Sequence, residues 1–337
     1  MALAAQGLVA GHGGVPLLGP LDLEAPGGRF VCLIGANGAG KSTLIRTLCG
    51  MQPAISGNVA LDGQALHTLG LRERARRLAV VLTERVDGLS MRGEEVVSLG
   101  RHPHTGWGGR LGPLDREQVQ AALSQMQALS LAGKPLTQMS DGERQKIMIA
   151  RALAQQPRAL VLDEATAFLD LPRRIEVMSL LRTLTRSRAL AVLLSTHDLE
   201  LALHFADTLW LIDGARQLHV GAPEDLALSG ALASAFASDG LLFDLAHATL
   251  RPAGLLSRAA RVSGTGMHAA WARRALARVG YADRADAQLH VHADARGYTV
   301  VRADGTPSCH PTLGQFATEL EALARAPSSD ELAARSS

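Results

Sequence analysis

Cysteine is scarce in this chain. Cys32, Cys49 and Cys309 are the three among 337 residues, widely separated and without a C-x-x-C pair, so a disulfide framework is not expected and a reducing compartment is the natural home. A surplus of one charge is missing too. Lys and Arg number 34 against 32 Asp and Glu, a formal net charge of +2, and that balance argues for no nucleic acid and no anionic surface as a direct partner. No run approaches the roughly 18 uninterrupted apolar residues of a membrane span. The residues from Met1 to Gly7 carry no basic stretch followed by an apolar core, so neither export nor a membrane span is expected, and work at a membrane would need a partner. What remains is 47% hydrophobic and 20% charged. That is a globular composition, long enough for one large or two ordinary domains.

Glycine, by contrast, is concentrated where a backbone must approach something. The stretch GANGAGKST, Gly35 to Thr43, meets the spacing G-x-x-x-x-G-K-[ST] with Gly35, Gly40, Lys41 and Ser42. The run Phe30 to Ile34 before it reads as a buried parallel strand, and a helix is expected from about Lys41. Strand, glycine loop and helix start together make a phosphate nest. The N–H groups of Asn37, Gly38, Ala39, Gly40 and Thr43 face an anion, Lys41 reaches its outer phosphates, and the Ser42 hydroxyl can hold Mg2+. The plainer alternative is a turn that merely joins strand to helix, and a phosphate loop alone leaves open what the nucleotide is used for.

Around this unit the pattern alternates. Residues 1 to about 27 read as short strands and turns. A strand follows Ile55, a short basic helix Leu71 to Arg77 feeds a strand Leu78 to Leu82, and helices are expected over Glu94 to Gly100 and Leu114 to Leu131. Then come a helix from near Ser140, a strand Ala159 to Leu162, a helix Pro172 to Ser187 and a strand Leu190 to Leu194. Strands alternating with helices predict parallel pairing, right-handed crossovers and helices on both sheet faces. Past about residue 245 the pattern resets to a small β-α-β-β-α unit, Arg258 to Ser263, Gly266 to Val279, Leu289 to Ala293, Tyr298 to Ala303 and Thr312 to Ala326, before a polar tail from Pro327 that is expected to be disordered.

Two further stretches carry chemistry. Leu160-Val161-Leu162-Asp163-Glu164 is an apolar strand ending in two carboxylates, which places them at the sheet edge where the phosphate loop opens. Asp163 is then positioned for Mg2+ and Glu164 for polarising a hydrolytic water. Met139-Ser140-Asp141-Gly142-Glu143 opens a helix with the elements of a capping box, Ser140 and Glu143, and capping alone accounts for those two residues.

With these motifs the chain resembles the ATP-binding subunits of ABC transporters. Ser140, Asp141, Gly142 and Glu143 match the family signature, Ala167-Phe168-Leu169-Asp170 is like its D-loop, and Ser195-Thr196-His197-Asp198 like its switch histidine; the likeness covers about residues 5 to 243. It implies a P-loop ABC cassette over 1–243 of class α/β, with a parallel-sheet core, an N-terminal antiparallel β subdomain and a helical subdomain over about 90–155. A small accessory α+β domain over 245–326 and the tail 327–337 would follow. It implies ATP and Mg2+ as cofactors, Glu164 and His197 as catalytic residues, and a head-to-tail dimer, most simply of two identical subunits, in which the signature of one subunit faces the nucleotide of the other.

Three positions depart from the family pattern. Glu84 stands where a glutamine is usual; it can accept bonds from Mg2+-bound water but brings no amide donor. His12 stands where an aromatic stacks on adenine, and Ala165 where a proline is usual. The segment from Glu84 to Trp107 looks like the one in importers of iron-siderophore, haem and cobalamin type, where it receives the membrane permease, and the stretch Ser140 to Lys146 is similar to the ferric-siderophore branch. The resemblance therefore implies an ATPase at the cytoplasmic face of the membrane, working with a polytopic permease and, indirectly, a periplasmic or surface substrate-binding protein. The alternative is a soluble ABC ATPase such as an iron-sulfur assembly factor; repair and translation ATPases would need a coiled-coil or zinc insert or a second cassette, which the sequence lacks. For the C-terminal unit two readings stand: a dimerisation or regulatory domain, or a metal sensor on His290, His292, Cys309 and His310. The loop 101 to 113, rich in glycine, proline and histidine, reads as a partner-facing surface with Trp107 as its anchor.

Overall fold

The computed structural model describes residues 2–82, 90–106, 108–236, 241–244, 249–252 and 256–325. Glu84, Trp107 and the tail expected to be disordered lie outside them. The chain divides into two compact units, residues 1–236 with 243–249, and residues 237–242 with 250–337.

The first unit begins with β1 (Leu3–His12) and β2 (Val15–Ala25), two long antiparallel strands where short strands and turns were expected. Register shifts after Ala5, Leu8 and Ala10 interrupt the alternation along β1, and a bulged strand loses the period of two by which it is recognised. The hairpin closes through Gly13 and Gly14, both with positive φ, as a two-residue turn of matching twist requires. Next come β3 (Phe30–Gly35), α1 (Lys41–Leu48), β4 (Ser56–Leu61), β5 (Gln64–Ala65), α2 (Leu71–Arg77) and β6 (Leu78–Val81). A helical stretch follows, with α3 (Gly93–Leu99), α4 (Pro113–Gln125) and α5 (Asp141–Ala154). Then β7 (Ala159–Asp163), α6 (Leu171–Arg188), β8 (Ala191–Ser195), α7 (Leu199–Phe205), β9 (Thr208–Ile212), β10 (Leu218–Gly221), α8 (Pro223–Leu228) and α9 (Ala231–Phe236) complete the unit. The helix expected to run to Leu131 stops at Gln125 because the backbone at Gln127 turns left-handed, φ 52°.

One sheet is antiparallel, in the order β2-β1-β4-β5; the other runs β10-β9-β3-β8-β7-β6, parallel except for its edge strand β10. Every residue of β3, β7 and β8 is buried, the continuous apolar run of a sheet covered on both faces. Alternate side chains feed two cores. Phe30, Cys32, Ile34, Leu160 and Leu162 pack with Ile147, Leu153, Met178 and Leu181 of the helical face. Val31, Leu33, Ala159 and Val161 pack with Leu44, Ile45 and Leu48 of α1 and with Leu3, Leu8 and Leu61 of the antiparallel sheet. Each such aliphatic side chain contributes about 1.5–3 kcal/mol by leaving water, so the strand ends between the two cores are held firmly.

The loop after α3 is tied down from three directions. Arg101 is buried, donating to Asp115 Oδ1 at 2.9 Å and to the Ala154 carbonyl at 2.7 Å, and the Pro103 carbonyl accepts from Arg72 and Arg76 of α2.

A two-stranded ribbon, β11 (Leu241–Asp244) with β12 (Thr249–Pro252), lies where the chain divides. The second unit then contains β13 (Arg258–Ser263), α10 (Gly266–Arg278), β14 (Tyr281–Asp283), β15 (Leu289–Asp294), β16 (Gly297–Val301), β17 (Pro307–His310) and α11 (Leu313–Arg325). Its sheet has the order β14-β13-β15-β16-β17. The sequence pattern misses β14 and β17, of three and four residues, which are too short to display a period. One face carries both helices: Val262, Val291, Tyr298 and Val300 pack with Ala272 and Leu276 of α10 and Phe316 and Leu320 of α11.

Candidate functional site

At the carboxyl edge of the parallel sheet, β3, β8 and β7 are neighbours and end in Gly35, Ser195 and Asp163. The loop leaving β3 uses its glycines for space. A Cβ on Gly35 would lie 2.8 Å from the Ile212 carbonyl oxygen, and one on Gly40, φ 107°, would lie 2.9 Å from a Leu17 methyl. Gly38, φ 78°, borders open space instead. Ala39 is buried while Asn37 is exposed, and Ser42 and Thr43 stand in the first turn of α1.

Lys41 is the charged centre of this loop. It is only 5% exposed, and its ammonium donates to the carbonyls of Gly35 at 2.8 Å and Ala36 at 3.1 Å while lying 3.8 Å from Glu164 Oε1. Burial pushes its pKa down, and the carboxylates of Glu164 and Asp163 offset part of that. An ammonium held this way is a preformed counter-charge that phosphate oxygens can claim from weaker carbonyl partners.

Asp163 and Glu164 are brought together with Ser195, whose role the sequence does not disclose. The Ser195 hydroxyl donates to Asp163 Oδ1 at 2.7 Å and accepts from the Glu164 N–H at 2.9 Å. Asp163 and Ser195 are cross-strand partners, a register that only strand pairing creates. Glu164 has a left-handed backbone, φ 47°, which a non-glycine residue adopts at a cost of about 1–3 kcal/mol and keeps only where its surroundings enforce it. Here the Ser195 hydroxyl holds its N–H, and its carbonyl accepts from the Ala167 N–H at 3.0 Å. His197 is exposed in the turn after β8; beside it the Thr196 N–H donates to the Leu33 carbonyl and the Asp198 N–H to Thr196 Oγ1, each at 3.0 Å.

The other motif residues stand on separate elements. His12 is exposed at the end of β1, and Gln52 ties that hairpin to α1 by donating to the carbonyls of Gly11 and Thr43. Ser140 caps α5: its hydroxyl accepts from the Glu143 N–H, and the Glu143 carboxylate accepts from the Ser140 N–H and from Lys134. The Lys134 ammonium, first among these donors, holds the Glu143 carboxyl below the usual range. Asp141 is exposed at the start of the same helix, and Gly142 lies against Arg173, with 3.4 Å available to a Cβ. Asp170 caps α6 by accepting from the Arg173 N–H.

The residues of the metal-sensor reading are not gathered. His292 is hydrogen-bonded to Ser263, Cys309 lies beside Thr299, and His310 pairs with Glu319 on the helix side of the sheet. His290 sits on β15, separated by β16 from Cys309 on β17. Among the described residues no group of three or more His, Cys, Asp or Glu side chains is placed to hold a metal ion.

Comparison with known proteins gives this geometry a family. The ABC transporter family matches residues 18–167, and the iron ABC transporter C-terminal domain matches residues 257–321. An uncharacterised ABC transporter ATP-binding protein of Methanocaldococcus jannaschii is 43% identical over 224 residues, 66% of this chain and 77% of that protein. The chain belongs to the ABC transporter ATP-binding proteins. It is therefore an ATPase that binds ATP. A hemin import ATP-binding protein of Pseudomonas entomophila is 37% identical over 245 residues, 71% of this chain and 94% of that one. Among solved structures, a chain described as an inward-facing metal-chelate type ABC transporter aligns with a TM-score of 0.61 and 25% identity, over 70% of this chain and 88% of its own. Among the described residues no helix is long and apolar enough to cross a membrane.

Proposed function

We propose that this ABC ATPase powers import of an iron chelate, a ferric siderophore or a haem- or cobalamin-like compound, through a separate membrane permease. The observation that carries the iron assignment is the match of residues 257–321 to the iron ABC transporter C-terminal domain. It is supported by relatives named for transport of achromobactin and for import of iron(3+)-hydroxamate and hemin. The protein would sit at the cytoplasmic face of the membrane, as two identical subunits, with a substrate-binding protein acting on the far side through the permease.

The residues present suit Mg2+ and ATP. The exposed Ser42 hydroxyl and the Asp163 carboxylate are hard oxygen donors at the loop that would carry the phosphates. Mg2+ bound there would neutralise phosphate charge. His12 would stack on the base, and the N–H groups from Asn37 to Thr43 would cradle the phosphates. A γ-phosphate would draw the Lys41 ammonium from its position 3.8 Å from Glu164, leaving that carboxylate to accept a proton from the attacking water. His197 would orient the same water and contact the γ-phosphate. The Ser140 hydroxyl and Gly142 N–H, at a helix N-terminus, would complete the site of the facing subunit, with Asp141 and Glu143 shaping that end and Asp170 bordering the interface. Hydrolysis then removes an anion shared by two subunits, so the closed dimer opens and the permease follows.

The deciding experiment is recovery of the tagged protein from detergent-solubilised membranes of its own cell. A polytopic permease with an iron-chelate-binding partner is the expected companion; recovery of soluble proteins alone would return the function to an iron-sulfur assembly factor.

A further inference from the structure

The Glu164 and His197 segments are separated in sequence, and one side chain on α6 reaches both. Arg174 donates from Nε to the Leu169 carbonyl at 2.7 Å, from one terminal nitrogen to Asp198 Oδ2 at 3.2 Å and from the other to the Ala167 carbonyl at 3.4 Å. The pair is substantially shielded, with the Arg174 and Asp198 side chains 25% and 18% exposed. Asp198 follows His197 directly, and its other oxygen caps α7 by accepting from the Leu201 N–H. Ala167 donates its N–H to the carbonyl of Glu164, whose backbone is left-handed. The planar guanidinium, with donors in a fixed fork, therefore bonds two carbonyls of the turn that follows Glu164 and the carboxylate beside His197.

We infer that Arg174 is a positioning residue for ATP hydrolysis, holding the Glu164 turn and the His197 turn in one fixed relation. This rests on the reading that Glu164 and His197 act on the attacking water. Arg174 acts through protein groups, the Leu169 and Ala167 carbonyls and the Asp198 carboxylate. Its effect comes through geometry: Glu164 keeps its left-handed backbone because the turn from Glu164 to Asp170 is held at several points, and Arg174 adds to the bond between the Glu164 N–H and the Ser195 hydroxyl a second link to the His197 segment. ATP binding through Lys41 lies outside this connection, so binding and turnover are expected to separate.

The test is steady-state ATPase kinetics and ATP binding on the full chain for Arg174→Ala, Arg174→Lys and Asp198→Asn, with thermal unfolding measured alongside. Arg174→Ala is expected to lower kcat by about tenfold or more, as misplacement on an ångström scale does, while KM and ATP affinity change by less than about twofold. Lysine, able to reach the carboxylate but not all three acceptors, should restore part of kcat. Should Arg174→Ala fail to fold, Asp198→Asn breaks the ion pair while asparagine still caps α7, and it should lower kcat in the same selective way. Unchanged kcat in the folded variants, or a parallel loss of kcat and ATP affinity, overturns the inference. Glu164→Gln measured beside them keeps the two claims apart: continued hydrolysis there would overturn the role of Glu164 whatever Arg174 does.

Discussion

In the first unit a parallel sheet is covered on both faces and its polar groups collect where the strands end. In the second, five strands carry helices on one face, and His290, His292 and Cys309 lie exposed on the other. The first arrangement concentrates chemistry. Neighbouring strand ends lie roughly 5 Å apart, so loops from distant parts of the chain meet at Lys41, Asp163, Glu164 and Ser195. The second arrangement spreads side chains out. His290 and His292 alternate along one strand, and Cys309 lies two strands away, roughly 10 Å at sheet spacing, with Thr299 of the intervening strand paired to both His292 and Cys309. Alternating histidines on a face look like a site in the sequence, yet among the described residues no group of three or more His, Cys, Asp or Glu side chains is placed to hold a metal ion.

That contrast can be broken most forcefully at Lys41. Lys41→Ala should weaken ATP binding by roughly a hundredfold, the scale of charge-assisted bonds to phosphate; equilibrium binding of a fluorescent ATP analogue measures it, and retained tight binding would remove the phosphate-loop assignment. Glu164→Gln should keep ATP bound while lowering hydrolysis by about 10²–10⁴-fold, and gel filtration with ATP should show a dimer. A monomer under those conditions would count against the shared-nucleotide mechanism.

The second unit should respond in stability instead. Phe316 is fully buried against the sheet, so Phe316→Ala should cost that unit about 3–5 kcal/mol, read as a lowered unfolding transition with ATP binding retained. A smaller effect is expected with pH. Burial of Glu319 favours its neutral form, but hydrogen bonds from Arg302, Ser308 and His310 outweigh that and lower its pKa below the ordinary 4.5. The unfolded chain therefore takes up the proton first. The stabilisation is complete above about the ordinary glutamate value and is lost as pH falls through the lower folded one. Chemical denaturation of wild type and Glu319→Gln between neutral and acidic pH checks this, and an equal acid response in both would contradict it. The smallest change belongs to the open face. His290→Ala and His292→Ala should each shift stability by no more than about 0.5 kcal/mol. They should also leave calorimetric titration with Zn2+ unchanged; a lost binding isotherm would restore the metal-sensor reading.

Much of the fold is legible because the parallel strands announce themselves. The runs 30–34, 159–162 and 190–194 are continuously apolar, as strands buried on both faces must be. The hairpin β1–β2 was obscured by its bulges, and α4 ends early through the backbone at Gln127 rather than through a glycine or proline. In the sequence Ser195 shows no role apart from the stretch around His197, because its bond to Asp163 follows from the pairing of β7 with β8. Arg174 carries no local sign at all, since an arginine one turn into a helix is ordinarily a solvated side chain.

Contiguous residues were enough to specify the glycine loop between a strand and a helix, the order of the motifs and the pair of carboxylates at a strand end. These are local properties: a glycine's backbone freedom, a strand that runs straight into a turn and a helix start are written in contiguous residues. The tertiary structure alone decided which groups meet. Strand pairing set the Ser195 hydroxyl between Asp163 and Glu164, the return of the chain to the sheet's carboxyl edge set Lys41 beside Glu164, and the packing of α6 carried Arg174 to two separate turns. Hydrogen bonds act over about 3 Å, and which distant residues come that close depends on the register and packing of the whole sheet.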